Sequence, residues 1–592
     1  MILSKHFKKY YWIYAPLLIV GLLVLFVVDY VQLEIPANIG RIITHYEFMF
    51  ELPSYPSNAI IAELKWILIW MSIATVGRFL WRYLIFGTSR KIEQDIRNQM
   101  FLHATKLSSE FYSKEKVGGL MAYFINDVQA VRLAFGPGLL TLSDGIFLGG
   151  FALYRMFQVD VMMTVYAFIP LVAIAVMMYF LRSSMQAKFK RRQKSFEDMS
   201  DLVQESFSGL SVVKAYVKEA IEAVRFKKRT EDYYNTNLDF VKKHMTFHVS
   251  INISISVVIL TIIGYGAHLI INGSMNAGTL VTYISYFSTL IWPMMAFTRF
   301  LAINSQAQAS AKRLEEFLDY PIDINDDQAV PTEIIGSGIR VDNLTFAYPD
   351  DPETPVLSNI SFEIKAGQRV GILGRTGSGK STLVEILLRL YNIKNDTVFL
   401  DGHDIMTVPL DTVRDAIGYV PQDNFLFSDT IKNNIGFSYQ VVGDEVVEQS
   451  AKLADVYTNV IEFKEGFNTI LGERGVTVSG GQKQRISIAR ALAKDPKILI
   501  LDDSVSAVDT KTEEAIINNL DRVRKGKTTI FIAHRISTVR HMDKIVLLDK
   551  GKLVGVGTHE ELKETSQLYQ ELVRLQTLEN LEAEGGVDNE RL

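Results

Sequence analysis

Eight consecutive residues, Gly374-Arg375-Thr376-Gly377-Ser378-Gly379-Lys380-Ser381, combine glycines with cations and hydroxyls at a spacing suited to holding an anion. The glycines let backbone N–H groups converge on phosphate oxygens. The stretch sits between an apolar strand-like run, Val370 to Leu373, and a helical run from Thr382 to Leu390, whose start turns its partial positive charge to the same anion. Lys380 would neutralise the outer phosphates and Ser381 would ligate Mg²⁺. Downstream, Ile498-Leu499-Ile500-Leu501 reads as a buried strand ending in Asp502-Asp503, where Asp502 is placed to hold the metal through water. Together these residues predict a nucleotide site with a metal, cradled by Gly374, Thr376, Gly377, Ser378, Gly379, Lys380, Ser381 and Thr382.

Such a site needs a strand-and-helix scaffold, and only part of the chain supplies one. With 592 residues the protein is too long for one compact domain, and 48% apolar residues place part of it in lipid. Near-continuous apolar runs of the roughly 18 to 20 residues that cross a bilayer occur at about Tyr14–Leu33, Trp66–Phe86, Leu139–Phe157, Val161–Leu181, Ile251–Ile271 and Leu280–Leu301. These predict six spanning helices. The apolar run Ile13 to Val28 in the first resembles a secretory signal, but it is too long for one, and Asp29, Gln32 and Glu34 follow it where a cleavage site of small residues would lie, so it reads as a retained span. Basic residues, Lys8 and Lys9 before span one, Arg90, Lys91 and Arg97 after span two, and Arg191, Arg192 and Lys194 after span four, orient the N-terminus and long loops to the cytoplasm.

The predicted architecture is therefore an all-α six-helix transmembrane domain over residues 1–305, a linker over 306–337, an α/β domain over 338–576 and a mobile acidic tail over 577–592. A net charge of −4 predicts no nucleic-acid partner, and the absence of cysteine excludes disulfides and thiolate chemistry. Within the spans, Asp29 and Asp144 are the better candidates for contact with a cationic or polar ligand, whereas Arg82 and Arg299 read as span-end residues reaching water. Aromatic and methionine residues such as Tyr283, Trp292 and Met295 suit a permissive binding surface or helix packing equally well.

Val478-Ser479-Gly480-Gly481-Gln482, just upstream of the Asp502 strand, resembles the signature motif of ATP-binding cassette (ABC) proteins, with valine where leucine is usual. Gln422 resembles the Q-loop glutamine, Ser506-Ala507-Val508-Asp509 the D-loop, His534 the switch histidine, and Gly472-Glu473-Arg474-Gly475 the X-loop of exporters. Tyr348 stands where the family stacks an aromatic on adenine. Phe111-Tyr112 with Val117-Gly118-Gly119, and Gly209 to Ala215, resemble the two intracellular loops of ABC exporters. The resemblance covers nearly the whole chain and implies ATP-driven export of hydrophobic or amphipathic compounds across the cytoplasmic membrane. It also implies head-to-tail pairing with a second half-transporter. Lys380, Ser381, Asp502 and Gln422 would hold ATP and Mg²⁺ against the partner's signature, while Ser479, Gly480, Gly481 and Gln482 would contact ATP held by the partner.

Where the family usually has glutamate as general base, this chain has Asp503. Loss of one methylene withdraws the carboxylate by about 1.5 Å, and a misplacement of about 1 Å can cost on the order of a hundredfold in rate. The departure resembles the degenerate half of heterodimeric bacterial multidrug ABC exporters, with Asp503, His534 and Gln422 as the catalytic set of a slow site. The alternatives are a homodimeric exporter of lipid or peptide in which aspartate serves as the base, and a mainly regulatory nucleotide-binding membrane subunit.

Overall fold

The computed structural model describes residues 5–51, 58–115, 117–439, 442–472, 475, 478–504 and 510–585. The D-loop stretch Ser506–Asp509 and the X-loop residues Glu473 and Arg474 lie outside them. By packing, the chain forms two units, one of Met1–Phe101 with Met121–Asp319, the other of Leu102–Leu120 with Tyr320–Leu592.

In the first unit long helices dominate. They are α1 (Ala15–Glu51) and α2 (Asn58–Ala104), then, after α3 (Ser109–Lys114) of the second unit, α4 (Gly118–Val159), α5 (Val161–Ser208), α6 (Leu210–Ala215), α7 (Glu219–Ile271) and α8 (Ala277–Leu318). Among the described residues α1, α2, α4, α7 and α8 are long and apolar enough to cross a membrane. α5, which carries the expected fourth span, is helical throughout. Helices of 47, 48 and 53 residues, α2, α5 and α7, far exceed what a bilayer needs. The two short turns between spans are held by caps: Asp160 accepts from Met163 N at 2.6 Å and Asn276 from Thr279 N at 2.8 Å, each satisfying an orphan donor at a helix start.

Two differences from the predicted boundaries have physical causes. Residues 306–318, read as the start of the linker, continue α8 because Ala307, Ala311, Leu314 and Phe317 bury one helical face. The third span does not start at Leu139 but extends a longer helix through π turns at Tyr123–Asp127 and Ala134–Gly138, the second containing Pro137. In the first π turn, Asp127 is 5% exposed and accepts hydrogen bonds from Ser310 Oγ at 2.7 Å and from Arg313 Nε at 3.2 Å, tying α4 to α8.

The second unit carries two sheets. β1 (Ile339–Phe346), β2 (Leu357–Ile364), β4 (Val398–Leu400) and β5 (His403–Asp404) form an antiparallel sheet in the order β2-β1-β4-β5. β3 (Arg369–Gly374), β6 (Ile417–Val420), β7 (Ile498–Asp502), β8 (Thr528–Ala533), β9 (Lys544–Asp549) and β10 (Lys552–Gly557) form the other, ordered β10-β9-β3-β8-β7-β6. All its neighbours are parallel except β9 and β10. β7 and β8 are buried at every residue, as expected of parallel strands covered on both faces. Three helices matter for the site: α9 (Lys380–Leu387), α10 (Gly480–Ala493) and α11 (Gln567–Gly585). Residues 577–585, read as mobile tail, are the end of α11.

Candidate functional site

β3 and β8 pair in register from Arg369 with Thr529 to Leu373 with Ala533, and β7 flanks β8. The carboxyl ends of these strands therefore bring together Gly374, His534 and Asp502-Asp503, at the end of a parallel sheet where ligands of α/β folds bind. The loop after β3 carries the residues of the expected cradle. Gly379 has φ +93°, and a Cβ there would come within 2.5 Å of Leu357 Cδ2, so only glycine fits the turn into α9. Lys380, 5% exposed, folds its ammonium back on Gly374 O at 2.8 Å and Arg375 O at 3.0 Å. Ser378 Oγ is buried without a partner, an orphaned polar atom in a loop whose exposed residues are Arg375, Thr376 and Gly377. A buried cation held only by carbonyls beside an unsatisfied hydroxyl fits a phosphate-bearing ligand.

Electrostatically the pieces form one locale. Burial pushes Lys380 below its ordinary range while Asp502 and Asp503 push it back up. Asp502, 4% exposed, is raised by burial, with Tyr419 donating to its Oδ2 at 3.4 Å and Lys380 opposing the rise. His534 is lowered by burial and by Lys380, with Asp503 opposing. No group of three or more acidic or histidine side chains suited to a metal occurs among the described residues. A divalent ion here would be held by Ser381, Asp502, Gln422 and phosphate oxygens, as suits Mg²⁺.

Asp503 adopts φ +44°, in the left-handed region. Its N–H donates to Ile532 O at 2.9 Å and its carbonyl accepts from Gln484 Nε2 at 3.1 Å, which over-determines the turn. Tyr348 is half-buried against Phe346 and Tyr391. Its hydroxyl hydrogen-bonds Thr382 Oγ1 at 2.8 Å and donates to Glu385 at 2.9 Å, linking the loop after β1 to α9, and burial pushes it up to about 12. Gln422 is exposed after β6.

The signature stretch starts a helix of its own. Ser479 caps α10 by accepting from Gln482 N at 3.3 Å, and Gln482 Oε1 accepts from Ser479 N at 2.9 Å. This is a reciprocal capping box, whose Ser-x-x-Gln spacing is legible in the chain. Gly480 is exposed, and a Cβ there would meet nothing within 4 Å. One residue carried no signal in advance: Gln576 of α11 donates to His534 O at 2.7 Å and accepts from Ile536 N at 2.6 Å, bracketing the switch turn, while Glu571 of α11 accepts from Arg375 at 2.8 Å.

A family model of the ABC transporter transmembrane region matches residues 18–294, and one described as ABC transporter matches residues 357–506. Over 582 residues, 98% of each chain, the protein is 36% identical to the "Probable multidrug resistance ABC transporter ATP-binding/permease protein YheI" of Bacillus subtilis (strain 168). The chain belongs to the ABC transporter family. It is also 34% identical to the "Multidrug resistance-like ATP-binding protein MdlA" of Escherichia coli (strain K12) over 520 residues, 87% of this chain and 88% of that one. A bacterial Atm1-family ABC exporter solved with ATP bound shares the fold, with a TM-score of 0.77 at 23% identity over 95% of this chain and 99% of that one. This ABC transporter is thus a multi-pass membrane protein whose α/β unit binds ATP and couples its hydrolysis to transport.

Proposed function

We propose that this ABC transporter exports hydrophobic or amphipathic compounds of multidrug type across the cytoplasmic membrane, as the degenerate half of a heterodimer. The observation that carries the reading is Asp503 at the end of β7, one methylene short of the usual base and fixed in a left-handed turn. Lys380, the loop N–H groups and Ser378 bind the triphosphate; Ser381, Asp502 and Gln422 hold Mg²⁺; Tyr348 faces the base. ATP with its ion supplies the leaving group and charge neutralisation. Asp503 then orients water poorly, and His534 supports residual turnover. The multidrug names of the relatives support the substrate class.

A second, non-identical half-transporter completes both sites. Support for docking on another chain comes from Gly480, whose open surroundings give no internal reason for glycine, and from the exposed apolar residues around α6, among them Val212, Tyr216 and Val217. One observation favours a homodimer instead: the charge of Asp503 acts on both Lys380 and His534. Purification alone and together with a second, non-identical half-transporter separates the two readings. The heterodimer predicts weak ATPase activity in the isolated chain and strong activity in the pair; full activity in the isolated chain refutes it.

A further inference from the structure

Towards its C-terminal end α2 gathers more positive charge than it neutralises. Glu93, buried, pairs with Arg90 Nη1 and with Arg97 Nη2, each at 2.9 Å. Arg132 of α4, its side chain 11% exposed, sets Nε 3.3 Å from the same carboxylate but outside hydrogen-bonding geometry, so that buried atom is orphaned. Asp95 accepts from the Tyr14 hydroxyl at 2.8 Å, and Asp127 is taken by Ser310 and Arg313. Arg90, Lys91, Arg97 and Arg132 thus outnumber Glu93 and Asp95 by two positive charges, and Arg90 and Arg97 carry that surplus to the surface.

A short helix, Lys8–Ile13, marks the height of the membrane surface. It exposes Trp12, at 83%, and Ile13 beside Lys8 and Lys9, the mixture that suits the boundary between lipid and water. Lys9 and Tyr10 tie it to α2 by donating to Gln99 Oε1 at 2.9 and 3.3 Å. Arg97 lies between Asp95 and Gln99 along the axis of α2, and Arg90 lies about 7.5 Å to the membrane side of Asp95. Phe79, Tyr83, Arg90 and Arg97 follow at intervals of four, seven and seven residues, so they share one face of the helix. Phe79 is 75% and Tyr83 71% exposed. That face offers rings to an acyl chain and, roughly 10 Å further along, guanidinium groups to a phosphate.

We infer that Arg90 and Arg97, with Arg132 behind them, seat the headgroup of an anionic phospholipid of the cytoplasmic leaflet. A phosphodiester supplies the forked acceptor that Glu93, shared among three guanidinium groups, cannot give to all of them. A zwitterionic lipid brings its own ammonium and gains less from the surplus charge. Such a seat goes beyond export itself and is the same whichever chain is the partner.

The test titrates the full-length chain in detergent with phosphatidylglycerol, phosphatidylcholine of the same acyl chains, and glycerol 3-phosphate, and reads bound ligand by native mass spectrometry. Wild-type protein should bind phosphatidylglycerol at least about tenfold more tightly than either of the others. Arg90→Gln combined with Arg97→Gln should erase that preference. Lys227→Gln combined with Lys228→Gln, which removes two exposed charges from α7, should keep it within about twofold. Should the first pair fail to fold, Arg90→Gln alone should weaken phosphatidylglycerol binding by about fivefold. No preference in the wild-type protein, a preference that survives loss of Arg90 and Arg97, or an equal loss in the α7 variant overturns the inference. Glycerol 3-phosphate bound as tightly as the lipid overturns it too, because the site would then take a soluble phosphate. None of these readouts depends on what the protein exports.

Discussion

At the start of α9 the chain turns a cation onto its own carbonyls and leaves a serine hydroxyl unpartnered; at the start of α10 it closes a serine and a glutamine into a finished cap. The first region is locally unsatisfied. The second is satisfied within the chain and exposes only Ser479 and Gly480. Two helix starts from one unit thus present opposite problems: one wants a ligand to complete it, the other is a preformed surface for something outside. The departure from the family pattern, Asp503, lies on the first side alone. The contrast teaches that the two surfaces can be disabled separately.

Ser479→Asp should separate them most sharply. Aspartate caps as well as serine, so thermal stability should hold, while an anion facing the partner's triphosphate should reduce transport by at least about a hundredfold. Wild-type transport in that variant would break the assignment of the α10 start to a partner's site. Next in size, Asp503→Glu should raise hydrolysis at the Lys380 site by up to about a hundredfold, read with the partner's own base removed. The same change should cost about 1 kcal/mol in thermal unfolding, because the left-handed region tolerates aspartate better than glutamate. No rise in hydrolysis would mean that another feature limits the site.

Gln576→Ala leaves a carbonyl and an N–H beside His534 unpaired and should cost about 1 to 3 kcal/mol locally, seen as at least about fivefold faster amide exchange at Ile536 with Ser479 unaffected. The smallest effect concerns pH. His534 is lowered from its ordinary 6.5, so the unfolded chain binds the proton more readily. Stability of the nucleotide-free protein should therefore fall as pH drops from about 6.5 towards the lowered value, and His534→Asn should flatten that slope in thermal unfolding.

The turn after β3 stands out in the sequence because its residues are local: three glycines, a lysine and two serines within one strand-to-helix turn. The capping box at Ser479 was equally local. Gln576 was not, since a glutamine on a charged helix says nothing until folding carries α11 to the turn after β8. The extension of α8 to Leu318 was missed because its apolar face is spaced at helical intervals among polar residues, which read as a linker. Asp29 and Asp144 stood out by cost in lipid, but their meeting with Trp292 depends on the packing of α1, α4 and α8.

Leu102–Leu120 belongs to the ATPase unit although Met121–Asp319 stands between it and the rest. Phe111, 4% exposed, sets its ring edgewise on Tyr320 with centroids 4.7 Å apart. A polypeptide begun at Tyr320 is therefore an incomplete body, with an aromatic seat left empty. A synthetic peptide of residues 102–120 should refill it in trans, making this unit a natural subject for fragment complementation.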